Sequence, residues 1–203
     1  RDIRQIPFEV DPPLHKGFRD ILDPWFKRPL EEEYTAKLKN QIQSLVKEVL
    51  KRDSLDIVSE FALPLQSRAP YSQAETWISW GTHVFRSEGT ALDADKANIL
   101  YDYIDKEIER ASAAPTDDLY SVLLASEANG KKLTKEEVKG VIILTFAGGR
   151  DTVINAVTNS ISYFSEHPES LERLRNEPEI LNNTIEELIR YFSPLTQMGR
   201  ITT

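Results

Sequence analysis

Two glycines, an acid and a hydroxyl lie together after an apolar stretch, in the string Gly148-Gly149-Arg150-Asp151-Thr152. On a helix, Gly148 and Thr152 share one face, so the missing glycine side chain would leave a notch beside the threonine hydroxyl. A notch, a hydroxyl and a carboxylate can hold a small ligand and pass protons to it. The alternative is a helix that is kinked or closely packed at its glycines, with Arg150 and Asp151 in solvent. Taken alone, the string favours this packing interpretation, because a glycine within a helix usually has a packing reason.

Two pairs of residues elsewhere have the spacing of one helical turn. Glu187 and Arg190 would commonly form a solvated ion pair worth about 0.2–0.5 kcal/mol. If that pair is buried, the arginine has donors left to hold a loop carbonyl, which would make it a structural clamp. His15 and Arg19 can both bind one anion, such as the carboxylate of a ligand. Two polar groups on a solvated face explain their spacing at least as well.

Composition argues against several other functions. The 203 residues contain no cysteine and three widely separated histidines, so we expect no disulfide, thiol nucleophile or zinc site, and no metal ligand in this chain. No nucleophile elbow, phosphate-binding loop or dinucleotide-binding glycine pattern occurs. A net charge of −8 argues against nucleic acid as a partner. The longest apolar run, Val138 to Ala147, is too short to cross a membrane, so we expect no membrane association.

Helical periodicity, prolines and capping residues predict a mainly helical chain with little strand. The predicted helices span 12–26, 54–65, 72–86, 93–111, 117–128 and 134–165, and others begin at Pro29, Pro168 and Pro178. Pro64 is expected to end or disturb its helix, and Pro194 to end the last one. Asn129-Gly130 is expected to form a turn.

Capping residues place the candidate functional groups on these helices. Asp11 can cap the first helix, which carries His15 and Arg19. The capping box Thr134-Lys135-Glu136-Glu137 starts the longest helix, about 45 Å long, with the glycine string near its middle. The helix over 93–111 is expected to turn four side chains inward, those of Ile99, Tyr103, Ile104 and Ile108.

The two ends of the sequence point to a piece of a longer protein. Arg1 is not an initiator residue, and the last five residues form a β-prone stretch without a partner strand. An isolated strand is not stable by itself. We therefore expect further chain beyond the residues given.

Four motifs, taken in order, resemble those of one family, the cytochrome P450 haem-thiolate monooxygenases in their soluble bacterial form. They are Asp11-Pro12-Pro13-Leu14-His15-x-x-x-Arg19, Asp117-Asp118-Leu119-x-Ser121-x-Leu123-Leu124, Ala147-Gly148-Gly149-Arg150-Asp151-Thr152 and Glu187-x-x-Arg190. The likeness runs nearly end to end over this chain and covers only the middle of a full member. It implies a mainly α fold of the cytochrome P450 type, with residues 1–203 forming a single, incomplete domain.

The resemblance implies catalytic roles in the glycine string, beside a haem b cofactor. Thr152 would hydrogen-bond the dioxygen that such enzymes activate, and Asp151 would help relay protons for O–O cleavage. Gly148 and Gly149 would lie next to the cofactor, in a motif that usually begins with Ala or Gly in the family.

The resemblance also implies roles for residues outside the string. His15 and Arg19 resemble the pair that binds the haem propionates, and Arg200 would supply a third propionate contact. Glu187 and Arg190 would be the family's E-x-x-R pair, structural residues that lock the core near the haem.

Three features depart from the family pattern. The loop F-x-x-G-x-x-x-C-x-G, which carries the cysteine ligand, should follow this region, and the sequence ends before it. Because that thiolate promotes O–O cleavage, we expect this chain by itself to be inactive. The family's first helices and most of its small sheet are missing upstream, and the segment from Pro64 to Pro70 is shorter than expected.

For the intact protein, the resemblance implies a monooxygenase that inserts one oxygen atom of O2 into a small organic substrate. Electrons would come from a ferredoxin- or flavodoxin-type partner or from a fused reductase, in the cytoplasm. An apolar set of side chains, which favours a small apolar substrate, is expected to line the pocket: Trp77, Trp80, Ile143, Phe146 and Ala147. Two alternatives stay open: a non-catalytic helical binding module that keeps the scaffold, and a helical regulatory domain unrelated to haem.

Overall fold

A computed structural model of the chain describes residues 3–67 and 94–195. The α-helices in this part are α1 (Leu14–Lys27), α2 (Glu32–Val49), α3 (Leu63–Ser67), α4 (Ala94–Ala113), α5 (Leu119–Ala125), α6 (Lys135–Glu166), α7 (Pro168–Asn176) and α8 (Leu181–Phe192). Short 3₁₀-helices cover Arg28–Leu30 and Pro178–Ile180, and a π-helix covers Val58–Ala62. Strands β1 (Glu127–Ala128) and β2 (Lys131–Lys132) form an antiparallel hairpin. The prediction of a mainly helical fold with little strand is confirmed.

The described residues divide into two compact units. Unit 1 comprises 3–44 and 94–148, and unit 2 comprises 45–67 and 149–195. The division falls between Gly148 and Gly149, so each unit holds part of the glycine string. The single domain over 1–203 stays a prediction. The predicted helix over 72–86 lies outside the described residues, as do Trp77, Trp80 and Arg200.

The hydrophobic core of unit 1 is built by α1, α4, α5 and the first half of α6. In α4, Leu100, Ile104 and Ile108 face this core at four-residue spacing, and each is almost fully buried. Tyr103 is partly buried against the same core. Ile99 is 50% exposed, so its predicted inward position is wrong. The apolar stripe continues through Leu100, and the residue before it points about 100° away around the helix.

The capping box at the start of α6 is confirmed. The Glu137 N–H donates to the Thr134 hydroxyl at 3.2 Å, and the Thr134 N–H donates to the Glu137 carboxylate at 2.8 Å. Two N–H groups that lack a helical partner are thereby satisfied. This box sets the start of the helix, and therefore the register that carries the glycine string.

Two proline-rich segments bear on the prediction. Asp11 does not cap α1 with its side chain: the helix begins at Leu14, with Pro13 at the capping position, and the Asp11 carbonyl accepts from the His15 N–H at 3.1 Å. Pro64 does not end its helix but lies in α3, directly after the π-helix Val58–Ala62, so the helix is disturbed before the proline, as one of the two predicted outcomes states.

The predicted helix over 117–128 is shorter in the structure. Helix α5 ends at Ala125, and the residues after it enter the hairpin. Asn129 and Gly130 have φ values of 51° and 76°. A two-residue hairpin turn requires such left-handed conformations, which Asn and Gly adopt more readily than other residues. The turn is therefore confirmed, and the last predicted helical residues form β1 instead.

Asp118 caps α5 and joins it to the end of α4. Its carboxylate accepts hydrogen bonds from the Ser121 N–H at 2.8 Å, the Thr116 hydroxyl at 2.6 Å and the Arg110 guanidinium at 2.6 Å. Burial raises the pKa of Asp118, but these hydrogen bonds outweigh it and hold the pKa well below its ordinary value. Because the pKa is lower in the folded state, this stabilisation is complete above about pH 4 and is lost as the pH falls further.

We expect Asp118→Ala to lower the free energy of unfolding of the full-length protein by about 1–2 kcal/mol at neutral pH, the usual cost of losing a helix cap. The difference from the parent should shrink as the pH falls below about 4, since the parent carboxylate then takes up a proton when the protein unfolds, which favours the unfolded state. Chemical denaturation at several pH values measures both effects. Asp118→Asn is the matched control, because the amide keeps the cap and removes the charge. If Asp118→Ala lowers the free energy of unfolding by the same amount at every pH, the ionised Asp118 carboxylate is not the stabilising cap.

Helix α6 has 32 residues, and its most apolar window has a mean hydropathy of 1.2. By length and composition alone it could cross a membrane, contrary to the sequence prediction that no segment would qualify. The core helix of a globular protein meets the same criterion. Val138 and Val141 of α6 are fully buried in the core of unit 1, so the criterion is weak evidence for a membrane span.

Candidate functional site

The glycine string lies within α6, and both of its glycines are at exposed positions of the helix. A Cβ atom built on Gly148 or Gly149 meets no atom of the described residues within 4 Å. Gly140, two turns earlier, is different, because its Cβ would overlap the carbonyl oxygen of Arg4. A close packing contact is therefore present at Gly140, and the described residues make none with the pair. In that part of the chain the space beside the pair is open, as a ligand site requires.

The acid and the hydroxyl of the string differ in exposure. The Asp151 side chain is 62% exposed, and Thr152 is half-buried. Asp151 can therefore exchange protons with water, while Thr152 lies closer to the protein interior. This order suits a relay that takes protons from solvent at the acid and delivers them toward the hydroxyl.

Arg150 is a candidate functional residue that the sequence reasoning missed. Its side chain is only 5% exposed, and its guanidinium donates to both oxygens of Asp151, from Nε to Oδ1 at 2.7 Å and from Nη2 to Oδ2 at 2.9 Å. The packing interpretation of the string places the side chains of Arg150 and Asp151 in solvent. The structure agrees for Asp151 and disagrees for Arg150. An arginine directly before an acid, at the end of an apolar run, is the signal that could have revealed the pair.

Gln66 is a second residue that sequence reasoning missed. Its amide Nε2 donates to the carbonyl oxygen of Gly149 at 3.2 Å. The two residues are 83 positions apart, so no local pattern reveals the contact. The bond ties the end of α3 to the glycine string within unit 2.

Glu187 and Arg190 form the predicted ion pair. The Arg190 guanidinium donates to both carboxylate oxygens of Glu187, at 2.7 and 2.6 Å, and their side chains are 69% and 61% exposed. The hydrogen bond from Arg190 lowers the pKa of Glu187. In the described part of unit 2 the pair is therefore a solvated one, and the buried clamp is not observed there.

Helix α8, which carries this pair, is positioned by aromatic contacts. Phe192 packs edge-on against Tyr163 of α6 with their ring centroids 6.4 Å apart, and Tyr163 also contacts His167 at 4.5 Å. Ile185 and Ile189 remain about half exposed on α8. Aromatic packing at its last residue thus positions α8 within unit 2. The described residues leave the apolar stripe of Ile185 and Ile189 about half exposed.

His15 and Arg19 lie on α1, one turn apart as predicted. His15 is half-buried, and Arg19 is exposed and pairs with Asp23 at 2.7 Å. Asp23 therefore competes for the guanidinium, although arginine has five N–H donors and can bind a second carboxylate. Gly17, between them, allows α1 to approach the hairpin, since a Cβ there would lie 2.9 Å from the Asn129 amide nitrogen.

The predicted site residues fall into both units. Unit 1 holds His15, Arg19 and Gly148, and unit 2 holds Gly149, Asp151, Thr152, Glu187 and Arg190. Within unit 2, Arg150 bonds to Asp151, and Gln66 bonds to the carbonyl oxygen of Gly149. Over residues 3–67 and 94–195, no group of three or more metal-ligating side chains is close enough to hold an ion. The roles assigned to all these residues stay predictions.

Comparisons with known proteins define the family. The family model "Cytochrome P450" matches residues 90–203, which is more than half of the chain. A probable cytochrome P450 127A1 from Sinorhizobium fredii is 30% identical over 98% of this chain and 49% of its own length. The polyketide biosynthesis cytochrome P450 PksS of Bacillus subtilis is 29% identical over 93% of this chain and 49% of its own length.

A solved structure described as that of a carbohydrate active P450 is 65% identical, with a TM-score of 0.89. The match covers 100% of this chain and 54% of that one. The chain thus spans about half the length of the relatives it matches. The chain belongs to the cytochrome P450 family, whose members are haem-dependent monooxygenases. The family resemblance and the mainly α fold of this type are confirmed, and haem is the cofactor of the family.

The residues of this chain suit that cofactor by their chemistry. Haem is a flat macrocycle with two carboxylates. Its flat face needs a helix face without bulky side chains, and its carboxylates need cationic partners. Gly148 and Gly149 provide open space on α6, and α1 carries an imidazole and a guanidinium one turn apart. The 203 residues contain no cysteine, so they do not supply a thiolate for the iron.

Proposed function

We propose that the full-length protein is a monooxygenase that inserts one oxygen atom of O2 into an organic substrate. The observation that carries this proposal is the open helix face at Gly148 and Gly149, next to a half-buried threonine and a solvent-accessible acid. Membership of a haem monooxygenase family supports the same conclusion. The comparisons do not favour a non-catalytic binding module or a regulatory domain unrelated to haem.

Each residue of the string has a defined task in this proposal. Bound haem supplies the iron at which dioxygen is activated. The Thr152 hydroxyl donates a hydrogen bond at the oxygen-binding position and accepts one from a proton source, because a hydroxyl does both. Asp151 takes protons from water and passes them toward Thr152. Gly148 and Gly149 keep the space beside the hydroxyl free for a ligand.

The remaining predicted residues hold the cofactor and its surroundings. His15, Arg19 and Arg200 bind the haem propionates through charge-assisted hydrogen bonds. Glu187 and Arg190 fix the core as a structural pair. Residues 1–203 form part of a single catalytic domain, which lies in the cytoplasm and receives electrons from a ferredoxin- or flavodoxin-type partner or a fused reductase.

A carbohydrate is the substrate class that we propose, in place of the small apolar compound expected from the sequence. The similar structure at 65% identity is that of a carbohydrate active P450, and at this identity the two proteins share two residues in three. The pocket residues Ile143 and Phe146 do not argue for an apolar substrate, because Ile143 is 2% exposed in the core of unit 1 and Phe146 packs against that core.

The full-length, haem-loaded protein tests this proposal when it is supplied with electrons, isotopically labelled dioxygen and a panel of sugars and matched apolar compounds. We expect labelled oxygen in the product from a sugar, and a substrate-dependent change in the haem absorption spectrum with the same sugar. Labelled product from apolar compounds alone would contradict the substrate class. Electron consumption that never yields a labelled product with any compound would contradict the monooxygenase reaction.

A further inference from the structure

Arg150 forms an ion pair with Asp151, the acid of the glycine string that directly follows it. The guanidinium of Arg150 bonds both carboxylate oxygens of Asp151, at 2.7 and 2.9 Å, in the parallel geometry that gives arginine its specificity for carboxylates. The arginine side chain is 5% exposed, and that of the aspartate is 62% exposed. The cation therefore comes from the protein interior and meets the acid at the surface.

This pairing is unusual for two consecutive helical residues. Side chains at adjacent helical positions point about 100° apart and do not face each other, whereas residues three or four apart do. The Asp151 carboxylate therefore turns around the helix toward Arg150 to make both bonds. The buried arginine thus determines the direction in which the acid points.

We propose that Arg150 is a positioning residue that fixes the direction of the Asp151 carboxylate, the acid directly before Thr152 in the glycine string. This inference rests on the proposed function, in which Asp151 relays protons. A guanidinium stays protonated in proteins, so Arg150 itself neither gives nor takes the proton. Its part is to orient the acid.

Both bonds from Arg150 are compatible with proton uptake at the carboxylate. Each carboxylate oxygen has two lone pairs and accepts one bond from the guanidinium, so neither bond has to open before a proton from water reaches the acid. The acid can therefore carry a proton while Arg150 holds its orientation.

Two variants of the full-length haem-loaded protein separate positioning from packing. Arg150→Met keeps an apolar stem in the buried space and removes the donors, and Arg150→Lys keeps the charge and removes the planar fork. Arg173→Met is the matched control, because Arg173 pairs with Glu177 on α7, at 3.3 Å and 65% exposed. The readout is the ratio of product to hydrogen peroxide per haem-loaded molecule, with the Michaelis constant for the substrate.

We expect Arg150→Met to lower that ratio about tenfold, with the Michaelis constant unchanged, because the acid stays in place but loses its orientation, whereas loss of a proton-transfer group itself costs about hundredfold or more. Arg150→Lys should lie between Arg150→Met and the parent, and Arg173→Met should match the parent. In an Asp151→Asn background, Arg150→Met should have no further effect. The proposal would be overturned if both Arg150 variants kept the parent's ratio of product to hydrogen peroxide. It would also be overturned if Arg150→Met lowered this ratio by the same factor in the Asp151→Asn background as in the parent.

A second readout does not depend on activity. In the haem-free full-length protein, Arg150→Met should change the unfolding equilibrium constant about fivefold less in the Asp151→Asn background than in the parent, the size of coupling expected for such a pair. Equal changes in both backgrounds would show that the two side chains do not interact. Failure of the proposed function is distinguishable, since it removes labelled product from the parent protein and leaves this coupling intact.

Discussion

Replacing Thr152 with valine in the full-length protein is expected to divert electrons from product to hydrogen peroxide. Valine has nearly the shape of threonine and lacks the hydroxyl, so the helix keeps its packing and loses one proton-transfer group. We expect the ratio of product to peroxide to fall about hundredfold, the low end of the effect of removing a positioned proton-transfer group. The rate of electron consumption should change much less. Simultaneous assay of product, peroxide and electron-donor oxidation measures all three.

Thr158 offers a matched control on the same helix. Its hydroxyl oxygen is buried and has no hydrogen-bond partner among the described residues. Thr158→Val should leave coupling unchanged, and it should not destabilise the protein, because an unpaired buried hydroxyl is costly. Thr152→Ser should retain most of the coupling, since it keeps the hydroxyl. Unchanged coupling in Thr152→Val would mean that Thr152 is not in the relay and that the notch serves only packing.

Substitution of Gly140 by alanine is expected to destabilise the protein strongly. The added Cβ would overlap the Arg4 carbonyl oxygen, and a backbone group cannot move aside as a flexible side chain can. Overpacking of this kind costs about 1–3 kcal/mol, which exceeds the gain in helix propensity of about 1 kcal/mol. Urea denaturation of the haem-free full-length protein measures the difference.

Gly148 is the control for this prediction, because it lies in the same helix and its built Cβ meets no described atom within 4 Å. We expect Gly148→Ala to stabilise the haem-free protein by up to about 1 kcal/mol through helix propensity. If the free energy of unfolding falls in Gly140→Ala and rises in Gly148→Ala, the result would support the distinction between a glycine required for packing and a glycine with open space beside it. Equal losses at both positions would show that the space beside Gly148 is filled.

Much of the fold is predictable from the sequence because its signals are local. The capping box at Thr134, the Asn129-Gly130 turn and the prolines at 168 and 178 act within a few residues of the boundaries they set. The errors arise where two local rules compete. Asp11 precedes two prolines that move the start of α1, and the segment after Ala125, predicted to stay helical to 128, enters the hairpin instead.

The candidate site is less predictable, because its contacts depend on burial and on distant residues. The bond between Gln66 and the Gly149 carbonyl joins positions 83 apart, which no spacing rule connects. The same spacing logic that found Glu187 and Arg190 passes over Arg150 and Asp151, since adjacent helical residues are not expected to meet. Family resemblance supplies the roles of the string, and the structure supplies the arginine that holds its acid.

The difference between the two classes of glycine also lies beyond the sequence. Gly140, Gly148 and Gly149 occur in one helix and have the same local propensity. Only the position of Arg4, far away in the chain, makes Gly140 a packing glycine. Among the described residues, the structure thus gives a packing reason for Gly140 and none for Gly148 or Gly149.

A carbon monoxide difference spectrum of the reduced full-length protein tests the central claim most directly. The claim is that this chain supplies the oxygen-binding side of a haem-thiolate monooxygenase. We predict the Soret band of a thiolate-ligated haem, at a stoichiometry of one haem for each chain. Haem that binds without this band, or a folded protein that takes up no haem, would contradict the account.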